Sequence, residues 1–114
     1  MTDQLRIALA QLNPKVGDLA GNLTLARRAL AEANAEGADI LMFSELFLTG
    51  YFPDDLLFKP QFVADAIACA KTLIAETAGT GVSVILPTIW QDQGRLYNAM
   101  LVGEGGHITA IRYK

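Results

Sequence analysis

What this 114-residue sequence has little of narrows the field before anything else does. Its one cysteine, Cys69, excludes an internal disulfide and any zinc site built on several thiolates, and a lone thiol agrees with a reducing compartment. No long apolar run is present. The hydrophobic stretches are broken within a few residues by polar ones, and Met1-Thr2-Asp3-Gln4 offers neither a basic n-region nor a following signal-peptide core. A cytoplasmic protein with no membrane partner is therefore expected. Nine Lys and Arg against twelve Asp and Glu give a net charge of −3, and the basic residues are scattered, which argues against a nucleic-acid surface. A Gly-rich phosphate loop is also missing, so ATP-dependent chemistry is not expected in this stretch. The sequence contains no repeat, low-complexity tract or linker.

What is there reads as one α/β unit. Hydrophobic residues make up 52% of the chain, and a domain of this length buries about 65% of its unfolded surface if it folds alone. Leu5 to Leu12 alternates Leu5, Ile7 and Leu9 with small or polar residues and predicts a first strand; the alanines on its second face imply that something packs there too. Turn chemistry follows over Asn13 to Asp18, with Asp18 placed to cap a helix whose stripe is Leu23, Ala26, Leu30 and Ala33 and whose stop is Gly37. A second strand, Asp39 to Phe43, comes so soon after the helix that the two strands should be parallel neighbours. Pro60 fits the first turn of a second helix with Val63, Ile67, Ala70 and Ile74 on one side. Val82 to Leu86 predicts a third strand stopped by Pro87. Leu96 to Val102 and Ile108 to Tyr113 read as a closing antiparallel pair, joined through Gly103-Glu104-Gly105-Gly106.

The stretch Asp39 to Lys59 stands out because it sets an ionisable side chain among apolar ones. Glu45 follows Ile40-Leu41-Met42-Phe43 and precedes Leu46-Phe47-Leu48. A carboxylate in such surroundings suffers desolvation unless it is paired or has its pKa raised, and a raised pKa suits a general base or acid near neutrality. Its place at the carboxyl end of a parallel strand is where open α/β sheets bind ligands. Spacing alone leaves a solvent-facing loop glutamate as an equal alternative.

Ser44-Glu45 through Gly50-Tyr51 resembles the first active-site segment of the nitrilase, or carbon–nitrogen hydrolase, superfamily. The tail Asp55-Leu56-Leu57-Phe58-Lys59-Pro60 is similar to the branch formed by the glutaminase domains of glutamine-dependent NAD synthetases, although Phe52 stands where that branch has a second proline. Gly94-Arg95-Leu96-Tyr97-Asn98 resembles a further word of the family, and Ile111-Arg112-Tyr113-Lys114 the strand that ends in its active-site lysine. The three words occur in order across nearly the whole chain. The resemblance implies a partial α-β-β-α sandwich, with residues 1–114 forming the N-terminal portion of one carbon–nitrogen hydrolase domain. It also implies roles: Glu45 as general base, Lys114 as the cation that stabilises the tetrahedral intermediate, and Tyr51 lining the substrate pocket. Glutamine or another small amide would be the substrate. No cofactor is implied for the amidase part, with ATP and magnesium confined to a synthetase domain outside this stretch, and the complete protein is implied to be a homo-oligomer.

The family's nucleophilic cysteine lies beyond its lysine, and Cys69 does not replace it: mid-helix between Ala68 and Ala70, it has no free backbone N–H groups to hold an oxyanion and nothing basic to lower its pKa. Asn98 is expected to tie down a loop by bonds from its side chain to the backbone, and His107 to be an exposed turn residue. Alternatives to a glutaminase segment are another nitrilase-branch amidase, or a non-catalytic α/β module that works by association.

Overall fold

The computed structural model describes residues 3–114. Five strands and two α-helices follow one another as β1 (Ile7–Ala10), α1 (Leu19–Ala35), β2 (Ile40–Phe43), α2 (Pro60–Ala75), β3 (Ser83–Asp92), β4 (Arg95–Glu104) and β5 (His107–Tyr113), with a short 3-10 turn at Asp54–Phe58 before α2. They form a single sheet in the order β1-β2-β3-β4-β5, parallel from β1 to β3 and antiparallel from β3 to β5. This is the strand-helix-strand-helix-strand unit and hairpin that the sequence implies.

The helices end where their caps place them. Asp18 accepts a hydrogen bond from the Gly21 amide at the start of α1, and Gly37, at φ 73°, turns the chain out of it. Both hairpins carry two consecutive positive-φ residues, Gln93-Gly94 and Gly105-Gly106, the backbone twist that two-residue turns between antiparallel strands need.

Both helices cover the same face of the sheet. Ala26, Leu30 and Ala33 of α1 and Ala70, Leu73 and Ile74 of α2 meet Leu41, Phe43, Val84, Leu86 and Leu101, all buried. Gly103 lets α2 approach the sheet closely, since a Cβ there would lie 2.7 Å from the Ile74 side chain.

The opposite face is open and apolar. In register across all five strands run Leu9, Met42, Ile85, Val102 and Ala110, none of them buried, with Leu9 61% exposed. This settles how β1 is oriented: its alanines pack towards the helices, and the larger Ile7 and Leu9 face outward. The expected first strand is also shorter than Leu5–Leu12.

Pro87 does not stop β3, which continues to Asp92. The reason is local. β2 accompanies β3 only as far as Ile85, so Pro87 lies where β3 has β4 on one side and no strand on the other, a setting that tolerates a missing N–H.

Candidate active site

Glu45 leaves the end of β2 on a tight turn rather than in apolar surroundings. Leu46 takes a left-handed conformation, φ 53°, and buries itself with Phe47, Leu48 and Thr49, while Ser44 and Glu45 remain exposed. Phe43 and Phe47 pack with ring centroids 5.0 Å apart and anchor the two ends of this turn. The turn is pinned from beneath by Asn22, a buried side chain on α1 that accepts from the Lys15 amide and donates to the carbonyls of Lys15 and Leu48. Gly17 donates to the Thr49 carbonyl, and Gly50 presses against the Val16 backbone, so β2's exit and the loop after β1 act as one body.

Lys114 arrives from the other end of the sheet. Its amide donates to the Asn98 carbonyl at 2.9 Å, extending the β4–β5 ladder by one bond, and the rings of the preceding residues, Tyr97 and Tyr113, pack on each other with centroids 4.4 Å apart. Its Nζ lies 2.8 Å from Glu45 Oε2. Asn98 Nδ2 donates to the same oxygen at 2.9 Å. Asn98 thus bonds a carboxylate 53 residues away rather than tying down a loop with its side chain, as the sequence reading had it.

These bonds set the electrostatics. The hydrogen bond from Lys114, then that from Asn98, hold the Glu45 carboxyl below its ordinary value, and Glu45 in turn raises Lys114. Of the two outcomes open to a carboxylate there, pairing or a raised pKa, the structure has the first: the side chain is 41% exposed and its partners dominate. An ion pair this accessible contributes little to stability, so its short distance matters for position rather than for holding the fold together.

Two clefts meet at Glu45. One, of about 360 Å³, lies between Pro87, Met100, Arg112 and the Glu45–Asn98–Lys114 cluster; the other is lined by Asn13, Pro14, Ser44, Glu45 and Tyr51. Tyr51 is 64% exposed with its ring 5.5 Å from that of Phe52. Cys69 sits apart on α2, half-buried, its thiol pushed up by burial and by nearby Asp65, the reverse of an activated nucleophile. His107 is exposed at the start of β5. Among the described residues, no three His, Cys, Asp or Glu side chains gather closely enough to hold a metal ion. Nor is any helix among them long and apolar enough to cross a membrane.

Sequence reasoning missed Asn22, and named Asn98 without its partner. Asn22 carried a signal, a polar residue in register with the buried stripe of Ala26, Leu30 and Ala33. The bond from Asn98 had none, because it depends on how two distant elements meet.

Comparison with known proteins places the chain in a family. A glutamine-dependent NAD(+) synthetase of Rhodobacter capsulatus is 42% identical over 115 residues, covering 100% of this chain and 20% of that protein. The enzyme of the same name from Thermotoga maritima is 40% identical over 111 residues, covering 97% of this chain and 19% of that protein. The chain thus spans about a fifth of the length of these curated relatives. The crystal structure of a glutamine-dependent NAD(+) synthetase from Cytophaga hutchinsonii superposes with a TM-score of 0.87 at 26% identity, covering 96% of this chain and 19% of that one. The family model described as carbon-nitrogen hydrolase matches residues 6–114, from the residue before β1 to the lysine paired with Glu45. With fold and sequence in agreement over that span, the chain belongs to the carbon–nitrogen hydrolase family.

Proposed function

We propose that residues 1–114 are the opening portion of one glutaminase-type domain that hydrolyses the carboxamide of glutamine, the released ammonia passing to NAD synthesis elsewhere in a longer protein. The observation that carries this reading is the 2.8 Å approach of Lys114 Nζ to Glu45 Oε2 across 69 residues of chain, at the mouth of a cleft. Glu45 is the general base, Lys114 the oxyanion partner and Tyr51 a wall of the substrate pocket.

The chemistry needs both charges side by side. A thiol, by family resemblance a cysteine from beyond Lys114, forms a bond to the amide carbon while its proton passes to Glu45. The carbonyl π pair moves onto oxygen, where the lysine cation stabilises it. Collapse of that intermediate breaks the C–N bond as Glu45 returns the proton to the leaving nitrogen. Ammonia departs and a thioester remains, which water hydrolyses with Glu45 again as base. Lys114 keeps the carboxylate ionised before substrate binds. As the forming oxyanion draws the ammonium, its hold on Glu45 slackens and the carboxylate becomes more basic at the step that needs it. The amide chemistry calls for no cofactor; ATP and magnesium would serve a separate synthetase domain. The remainder of the domain and further copies of the complete protein are the partners in this reading, and a cytoplasmic setting fits the lone thiol.

The test is turnover in full-length protein carrying this segment. Glu45→Gln and Lys114→Ala should each lower ammonia release from glutamine at least ~100-fold, and the double variant should lose little more, because the groups act as a unit. Additive losses would separate the two residues into different sites. Faster release from a simple aliphatic amide than from glutamine would move the substrate to another branch of the family.

A further inference from the structure

The two clefts at Glu45 share one carboxylate, and its two oxygens are not equivalent. Oε2 accepts from Asn98 Nδ2 at 2.9 Å and from Lys114 Nζ at 2.8 Å, whereas Oε1 accepts no hydrogen bond from any described residue. Asn98 also acts through its backbone, its carbonyl accepting the Lys114 amide at 2.9 Å. One residue of β4 therefore touches both members of the pair, the base through its side chain and the cation through its main chain.

We propose that Asn98 is a positioning residue that fixes the rotation of the Glu45 carboxylate, so that Oε2 is committed to Asn98 and Lys114 and Oε1 is the oxygen that takes the nucleophile's proton. This rests on the reading of Glu45 as general base. Lys114 alone cannot supply the same constraint. An ammonium on a flexible stem follows either carboxylate oxygen as the carboxylate turns, while an amide carried on a strand presents its N–H from one direction only. Asn98 is partly buried and lies directly opposite Ile89, which is 2% exposed, so its backbone has little room to move. The amide bond also favours the ionised carboxylate, adding to the effect of the lysine.

The role is tested by the pH dependence of kcat/KM for ammonia release from glutamine, in full-length protein carrying this segment. Asn98→Asp keeps the shape and exchanges the donor for an acceptor; Asn98→Ala removes the side chain. Both should lower kcat/KM by roughly tenfold or more, and both should move the acid limb of the profile to higher pH, the aspartate variant further. Carboxyl NMR titration of Glu45 in the same variants should show the same upward movement without depending on turnover. Loss of activity with the acid limb and the Glu45 titration both unmoved would mean that Asn98 is structural only, and would overturn the proposal. So would wild-type activity and profile in Asn98→Asp. Glu45→Gln separates the two layers: if it keeps full turnover, the base assignment fails and this proposal fails with it. If it is inactive while the Asn98 variants titrate like the parent, the base assignment stands and the proposal alone is lost.

Discussion

Glu45 and Lys114 end up 2.8 Å apart, yet the two regions that deliver them are built on different principles. Glu45 is held by the core. The residues after it, Leu46 to Gly50, are buried, and Asn22 and Gly50 lock that turn to the loop after β1. Lys114 is held by an edge, with one amide bond to Asn98 and one partly exposed ring pair at the preceding residues Tyr97 and Tyr113. Damage to the first region should therefore be read in global stability, and damage to the second in the geometry of the pair.

The hardest blow to the core-built side is Gly50→Ala. Gly50 has φ 80°, and a Cβ there would lie 2.5 Å from Val16 Cα, a backbone atom that cannot swing aside. A loss of about 3 kcal/mol or more is expected in denaturant unfolding. A loss under about 1 kcal/mol would mean that the two loops are not locked together as described.

Asn22→Ala comes next. It strands the Leu48 carbonyl in a buried setting and the Lys15 amide and carbonyl in a partly buried one, and about 2 kcal/mol should be lost by the same measurement.

On the edge-built side, Tyr97→Ala removes the ring pair with Tyr113. Only about 1 kcal/mol of stability should go, but hydrogen exchange at the Lys114 amide should quicken, since its bond to Asn98 sits at the end of the ladder. Equal damage to stability from Tyr97→Ala and Asn22→Ala would erase the distinction between the two regions.

The smallest effect is on pH dependence. Glu45 is shifted down, so its part of the pair's stabilisation is present above the unfolded carboxyl value and lost as pH falls through the folded one. Lys114 is shifted up, so its part is complete below the unfolded lysine value and lost as pH rises through the folded one. The pair is intact across neutrality, and both residues are exposed, so its effect on unfolding should be slight. Lys114→Met should let Glu45 titrate nearer its ordinary value by carboxyl NMR; an unchanged titration would show that the contact is not maintained in solution.

The same contrast explains what was legible in the sequence. Elements fixed by local chemistry were readable: the Asp18 cap, the Gly37 stop, Pro60 opening α2 and the glycine turn between β4 and β5 all act within a few residues. Glu45 and Lys114 were legible because their neighbouring residues form recognisable words, not because their spacing reveals that they meet. The protonation environment of Glu45 was not legible, since flanking Phe43 and Leu46 say how the backbone is buried and nothing of where a carboxylate between them points. Pro87 misled for a related reason. Whether proline ends a strand depends on where the neighbouring strand stops, and that is set by β2, more than forty residues earlier.

The exposure of Glu45 has a consequence in time. Glu45 is made 69 residues before its counter-charge, which at about 5–20 residues per second of synthesis is an interval of roughly 3 to 14 s. Through that interval β1, α1 and β2 are complete and the cation does not yet exist. A carboxylate sealed inside the turn would have to be buried unpaired or keep the turn open until Lys114 appeared. One left on the rim, solvated by water until the lysine arrives, lets the first strands and helix close without waiting.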